Sequence, residues 1–276
     1  MTFKEYLYKS FPTKNSGTPA SYQTAVEIID KMIHLTNLFN LGSQSIFELR
    51  DPILIDNIIE FVVNEEFKFK RMESSAFDLV NLKQRKKTSY PGGGFCSAAI
   101  KKFGEYINNK YAIEISQFAL KSNLNGVEIS NLIQKRYGID DKGTEKEVKV
   151  KRRIGQEIFR RILLEIYSYK CCITGIDVTE VLRASHIIPW SENKTTRLNP
   201  QNGLCLSATY DAAFDKYLLS FDEDYRLILS PYLKEEYTSE SFKKYFLNYE
   251  GKKIELPSNF IPSQKFLEKH REKLIV

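Results

Sequence analysis

The feature that most constrains the fold of this sequence is a change in hydrophobic periodicity near residue 170. Before that point, apolar side chains recur every three or four residues, which is the spacing of one helical face. After it, the apolar runs are short and separated by turns, which is typical of strands. This order predicts an α+β chain, in which a mainly helical N-terminal domain at residues 1–140 precedes a second domain at residues 150–276.

The helical pattern of the first domain is clearest over residues 20–39, 46–63 and 95–121. Residues 1–19 contain proline and glycine among polar residues, so we expect a poorly ordered lead-in there. The segment Lys83–Thr88 is predicted to be a basic, flexible loop. No constellation of catalytic residue types is evident in this domain.

A hinge is predicted at Gly138–Val150, where glycines and alternating charges replace large apolar groups. A helix is expected at Ile154–Tyr169, where apolar residues step by four. From Lys142 to Lys170 the chain has nine Lys or Arg and four Glu, so most of its net charge of +6 lies there. Such a cluster is the footprint of phosphate-backbone binding, with a solvated helix face as the alternative. The candidates for contacts with DNA are Lys151, Arg152, Arg153, Arg160 and Arg161.

Composition excludes several protein classes. Hydrophobic residues make up 42% and charged residues 28%, which is typical of a globular and not a disordered chain. No apolar run approaches the length of a transmembrane helix, and Met1–Lys14 has no signal-peptide stretch. The four cysteines form no regular framework, so reduced thiols fit better than disulfides. We therefore expect a cytoplasmic protein without a membrane partner.

The residues with catalytic potential lie between Cys171 and Phe221. The pattern there predicts a strand, a polar loop, a second strand and a helix, at residues 181–186, 189–201, 203–207 and 208–217. An imidazole at a strand end, as at His186, is a good base near neutral pH. Asp211 and Asp215 are four residues apart, so a helix places both carboxylates on one face. Facing His186, they would offer Mg²⁺ the hard oxygen ligands it prefers.

These residues resemble motifs of the HNH, or ββα-metal, endonuclease family. The phrase Ala184–Trp190, ASHIIPW, is similar to the first motif of that family, and Asn199–Leu204, NPQNGL, looks like its central asparagine motif. The resemblance covers roughly residues 150–276. It looks closest to a branch of restriction endonucleases with SHIxPW and NGLxLS…DxxFD phrases.

The resemblance implies a role for each matching residue. His186 would be the general base, and Asn202 would hold the imidazole and its loop in position. Asp211 and Asp215 would take metal-ligand positions for Mg²⁺ or Mn²⁺. It also implies a metal-dependent endonuclease that cuts double-stranded DNA in restriction or other anti-phage defence, with a homodimer as one arrangement.

Two departures from the family pattern affect this interpretation. Many members carry His or Asp directly before the catalytic histidine, whereas this chain has Ser185. Many also bind a structural zinc through two CxxC pairs. Cys171 could begin the first pair here, but Thr174 fills its second place, and Ser207 and Tyr210 occupy the second pair. A four-cysteine zinc site is therefore not expected.

Other interpretations of these residues remain open at this level. An isolated strand histidine is usually structural, so the role of His186 depends on its neighbours. Asp215 has the alternative of bonding to backbone and fixing its helix. His270, in a charged C-terminal segment, is expected at the surface or in a cap. The alternative functions are a catalytically weakened DNA-binding module that retains the HNH fold, and a nickase with the same chemistry.

Overall fold

The computed structural model describes residues 1–11, 18–80, 93–139 and 142–275. The predicted basic loop at Lys83–Thr88 lies outside these residues. The chain divides into two compact units, which are Met1–Tyr111 with Thr144–Val150 and Ala112–Gly143 with Lys151–Val276. This division does not follow the expected boundary between residues 140 and 150. The assignment of domains at 1–140 and 150–276 stays a prediction.

In the part that the structure describes, the regular secondary structure of the first unit is all helical. Its elements are α1 (Phe3–Ser10), α2 (Thr18–Thr36), α3 (Pro52–Lys70) and the beginning of α4 (Phe95–Lys121). α4 matches the segment predicted from periodicity. α2 starts two and ends three residues before its predicted bounds, and α3 starts six and ends seven residues after its own. The expected lead-in is wrong at α1, because Thr2 and Glu5 form a capping box that starts a helix. Its core includes Leu7, Val26, Ile29, Ile58 and Phe103.

Helices α5 (Gly126–Tyr137) and α6 (Glu145–Ile166) come next along the chain. The predicted hinge at Gly138–Val150 is therefore wrong from residue 145 onward. The backbone N–H of Glu147 donates to Thr144 Oγ1 at 3.3 Å, and that of Thr144 donates to the Glu147 carboxylate at 2.7 Å. This reciprocal pair satisfies donors at the helix start, so α6 begins among charged residues with few apolar side chains.

The segment with catalytic potential folds in the predicted order. Strand β1 (Leu182–His186) pairs antiparallel with β2 (Gly203–Ser207), with His186 opposite Gly203. Helix α7 (Ala208–Asp215) follows β2 directly and ends two residues before the predicted limit. Strands β3 (Leu219–Phe221) and β4 (Leu227–Leu229) form a second antiparallel pair. The described chain is thus mostly helical with small sheets.

Three short helices complete the second unit: α8 (Pro231–Glu236), α9 (Glu240–Tyr245) and α10 (Gln264–Arg271). Contrary to the expected surface position, His270 on α10 is only 2% exposed. The four cysteines are buried free thiols. Within the residues described, no helix combines the length and the apolar character that crossing a membrane requires.

Candidate active site

His186 ends β1 with its imidazole packed between two aromatic rings. The ring stacks on Phe159 of α6, with centroids 3.9 Å apart and planes 12° from parallel. Trp190 meets it edge-on, at 5.5 Å and 87°. Gly203, opposite His186 in the sheet, leaves room for this arrangement, because a Cβ there would lie 2.7 Å from the Phe159 ring. The strand pair and α6 therefore fix the imidazole plane.

One hydrogen bond fixes the tautomer of His186. Its Nε2 lies 2.9 Å from the backbone carbonyl oxygen of Arg197. A carbonyl oxygen only accepts, so Nε2 carries the proton and Nδ1 keeps the lone pair. Among the described residues, Nδ1 has no hydrogen-bond partner. His186 is thus held as a neutral imidazole with one nitrogen available as a proton acceptor.

Burial lowers the pKa of His186 from 6.5 to about 4, although its hydrogen bond to the Arg197 carbonyl acts in the opposite direction. The imidazolium loses more hydration in this aromatic sandwich than the single carbonyl returns. The side chain is therefore a neutral imidazole at neutral pH, with Nδ1 unprotonated, which is the state that a general base requires.

Asn202 lies fully buried behind this histidine and clamps the loop between β1 and β2. Its Oδ1 accepts from the backbone N–H of Ile188 at 2.8 Å, while its Nδ2 donates to the carbonyls of Ile188 at 3.1 Å and Thr196 at 3.2 Å. Thr196 directly precedes Arg197, whose carbonyl sets the tautomer of His186. Within the described residues no hydrogen bond joins Asn202 to the imidazole, so its hydrogen bonds act on the position of that ring through the loop.

Arg197 closes the same loop from its other side. Its Nε donates to the carbonyl of Trp190 at 2.7 Å, and its guanidinium lies 5.3 Å from the Trp190 ring centroid. This places a cation–π contact next to the ring that touches His186. Neither Phe159 nor Arg197 was predicted from the sequence to position His186, since both contacts depend on tertiary packing.

His186, Asp211 and Asp215 line one cleft of about 560 Å³ in the second unit. β1 supplies the histidine and α7 supplies both carboxylates, so the pairing of β1 with β2 and the turn into α7 bring them together. Burial, and then the charge of Asp211, raise the pKa of Asp215. The two carboxylates therefore repel each other, and a bound cation would relieve that repulsion.

The donor set of the cleft fits a hard divalent cation that keeps much of its water. In the described part of the chain, no three His, Cys, Asp or Glu side chains cluster as a complete metal site. Asp211 and Asp215 offer carboxylate oxygens, and one or two carboxylates with water and phosphate are the usual set for Mg²⁺. Ser185, which also lines the cleft, is 2% exposed, and its hydroxyl has no hydrogen-bond partner within the described residues.

The expected DNA-binding cluster is divided by the fold. Arg152 and Arg153 are exposed on α6, and Lys151 Nζ donates to the Lys142 carbonyl at 2.8 Å. Arg161 pairs with Glu165 at 3.0 Å and lies against Tyr169. Arg160 binds the carbonyls of Leu182 and Thr179 at 2.9 and 3.3 Å, and it lines the cleft. Arg183, which sequence reasoning missed, lines the cleft as well.

Two cysteines near the expected zinc positions are buried, and Tyr210, at one position of the second pair, serves packing. Cys171 is buried, and burial raises the pKa of Cys205 to about 12, which disfavours a thiolate there. Tyr210 packs on Phe246, with ring centroids 5.5 Å apart, and its hydroxyl donates to the Tyr245 carbonyl. Its ring therefore ties α7 to α9 through packing.

Residues 171–222 match the sequence model of a family described as HNH endonuclease. The matched segment contains β1, β2 and α7, and therefore His186, Asn202, Asp211 and Asp215. A search of curated proteins gave no match. The resemblance to HNH endonucleases is thus confirmed over residues 171–222, and this segment belongs to the HNH endonuclease family.

Proposed function

Because residues 171–222 belong to the HNH endonuclease family, we propose that this protein is a divalent-metal-dependent endonuclease that hydrolyses phosphodiester bonds of double-stranded DNA. The observation that carries the proposal is the free Nδ1 of neutral His186 in a cleft that it shares with Asp211 and Asp215. A base and two carboxylates beside it are the parts that metal-assisted hydrolysis needs.

His186 would act as the general base. Its Nδ1 takes a proton from a water molecule as the oxygen of that water forms a bond to phosphorus. The bond from phosphorus to one ester oxygen breaks, and that oxygen takes a proton from solvent. The Arg197 carbonyl, which accepts from Nε2, stabilises the imidazolium that forms. Asn202 keeps that carbonyl in place through the adjacent Thr196.

Asp211 and Asp215 would hold the divalent cation, Mg²⁺ or Mn²⁺. When bound, such an ion stabilises the negative charge that develops on the phosphate and on the leaving oxygen. Asp211 is proposed as the principal ligand. Asp215, whose pKa is raised by burial and by Asp211, would be held ionised by the cation and would contribute less.

We further propose that the exposed Arg152 and Arg153 contact the DNA backbone, and that the activity serves restriction or anti-phage defence. Replacement of both arginines by Ala should weaken DNA binding for every sequence and flatten its salt dependence by about 2 units in log K per log salt. Fluorescence anisotropy across a salt series measures this slope. An unchanged slope would assign these side chains to a solvated helix face.

A plasmid-cleavage assay tests the central proposal. Wild-type protein should cut with Mg²⁺ or Mn²⁺ and should stop cutting with EDTA. Asp211→Ala should lose more activity than Asp215→Ala, and Asp224→Ala, an exposed aspartate outside the cleft, should cut at the wild-type rate. Cleavage that persists in EDTA would contradict the metal requirement. DNA binding without cleavage in any lane would favour the weakened binding module.

A further inference from the structure

We infer that Arg160 and Arg183 form a phosphate-binding site at the edge of the cleft, where they hold a backbone phosphate of bound DNA. The inference rests on the proposed function, because it takes DNA to be the ligand. Both side chains line the cleft that contains His186. Arg160 comes from α6 and Arg183 from β1, so two elements supply the site.

The two guanidinium groups converge on one oxygen atom. Arg160 Nη1 and Arg183 Nη1 each donate to the carbonyl oxygen of Leu182 at 2.9 Å. The two nitrogens are therefore less than twice that distance apart. Like charges so close repel each other, and the fold holds them together through neutral carbonyl oxygens.

No carboxylate forms an ion pair with either arginine within the part of the chain that the structure describes. Two adjacent cations without a carboxylate partner favour an anionic ligand from outside the chain. A phosphate diester suits them, because arginine matches its geometry with two parallel donors.

The two arginines differ in what they have left to offer. Each arginine uses two of its five N–H groups, but Arg160 is half-buried and its two bonds, to the carbonyls of Leu182 and Thr179, occupy one N–H on each Nη. Arg183 is exposed and spends only Nη1, on Glu180 and Leu182. Its Nε and Nη2 have no hydrogen-bond partner among the described residues. Arg183 therefore supplies the direct contacts, and Arg160 supplies mainly charge.

The test compares Arg183→Gln with a matched control, Arg226→Gln. Arg226 is an exposed arginine of the same unit whose Nη1 also donates to a backbone carbonyl, that of Gly251 at 3.1 Å, but it lies outside the cleft. A fluorescein-labelled duplex of random sequence is the probe, in EDTA and across a salt series. Arg183→Gln should weaken binding about tenfold at low salt and flatten the slope of log K against log salt by about 0.9. Arg226→Gln should match wild type.

Arg183→Lys refines the outcome, because lysine keeps the charge and loses the planar fork. It should retain the wild-type salt slope and bind more weakly. If Arg183→Gln binds the duplex as tightly as Arg226→Gln does, the proposed phosphate site is overturned. A lower melting temperature with unchanged binding would also overturn it, since Arg183 would then only support the turn before β1. If the wild-type protein binds DNA but fails to cleave plasmid, the proposed function fails, and the binding comparison still decides the phosphate site.

Discussion

Two histidines of the second unit have similar surroundings but differ at one ring nitrogen and in exposure. His186 stacks on Phe159, with centroids 3.9 Å apart, and His270 stacks on Phe214 at 3.7 Å. Each has its Nε2 near a backbone carbonyl oxygen, at 2.9 Å in His186 and 3.1 Å in His270. Burial lowers the pKa of both to about 4. Stacking, tautomer and pKa therefore do not distinguish a base from a structural residue.

The difference lies at Nδ1. In His270 this nitrogen accepts from the hydroxyl of Ser220 at 3.0 Å, and both side chains are almost fully buried. In His186 the corresponding nitrogen has no partner among the described residues, and the ring lines an open cleft. A neutral imidazole becomes a candidate base when its lone pair is left free where water and substrate reach it.

The largest expected effect comes from His186→Ala. This change removes the proton acceptor, and losses of general bases are typically about 10²–10⁴-fold in rate. Single-turnover cleavage of a plasmid with Mg²⁺ measures it, and circular dichroism checks the fold. DNA affinity should change little. If the variant cut at the wild-type rate, the free Nδ1 would not act as a base, and it would not distinguish His186 from His270 in function.

His270→Ala should produce the opposite result. It leaves a cavity beside Phe214 and removes the partners of the Ser220 hydroxyl and the Phe214 carbonyl. We expect a loss of about 3 kcal/mol in the free energy of unfolding, measured with urea. The fraction that remains folded should cleave DNA at the wild-type rate. A stable but inactive variant would give His270 a role in the reaction that its burial argues against.

Acid should unfold the protein through these same residues. Each folded-state pKa is about 4, against about 6.5 in the unfolded chain, so the unfolded chain binds more protons between these values. Stability is therefore complete above about pH 6.5 and falls as the pH drops toward about 4. A shift of this size is worth about 3 kcal/mol for His270.

Urea unfolding at several pH values from 7.5 to 4.5 measures this dependence. His270→Gln, which has no imidazole to titrate, should show a clearly weaker dependence on pH than wild type. Equal dependence in the two proteins would mean that His270 is not held neutral by its surroundings.

Gly203→Ala tests how the position of His186 is maintained. The new Cβ would lie 2.4 Å from a Leu163 methyl and 2.7 Å from the Phe159 ring, so the ring beneath His186 must move. Such overpacking costs about 1–3 kcal/mol, and cleavage should fall although no catalytic group is removed. Gly104→Ala is the matched control, because its Cβ would lie 2.7 Å from an Ile59 methyl in the first unit, outside the unit that carries His186. If the two variants cleave DNA at equal rates, the stacking of Phe159 on His186 does not contribute to cleavage.

The sequence predicted the parts of this site that depend on local order. β2 lies where alternation and turn residues placed it, and β1 and α7 differ from prediction only at their ends. The position of His270 was predicted wrongly because its neighbours on α10 are charged. The groups that satisfy it, Ser220 and Phe214, lie 50 and 56 residues away in the chain. A buried polar side chain needs such distant partners, and periodicity carries no information about them.

Arg183 was not predicted as a site residue from the sequence, for a related reason. A single arginine in a strand has no distinctive local signal, and its meaning here comes from a carbonyl that it shares with an arginine of α6. The helix start at Glu145 was different, because the Thr144-x-x-Glu147 signature of a capping box is present in the sequence. At this position the prediction of a hinge followed the alternating charges. The capping-box signature, which was also present, indicated the helix correctly.

The smallest expected effect comes from Ser220→Ala, which removes only the contact that distinguishes the two histidines. It leaves the buried Nδ1 of His270 without a donor, so we expect a loss of about 1–2 kcal/mol in the free energy of unfolding. Ser185→Ala is the matched control. Ser185 is also a buried strand serine, but its hydroxyl has no partner among the described residues, so its removal should leave stability unchanged or higher. Nitrogen-15 NMR of the imidazoles should still report a proton on Nε2 of His270, because the Phe214 carbonyl continues to accept from it. Equal stability losses in the two serine variants would show that the hydroxyl does not stabilise His270. A shift of that proton to Nδ1 would show that the hydroxyl, and not the Phe214 carbonyl, sets the tautomer.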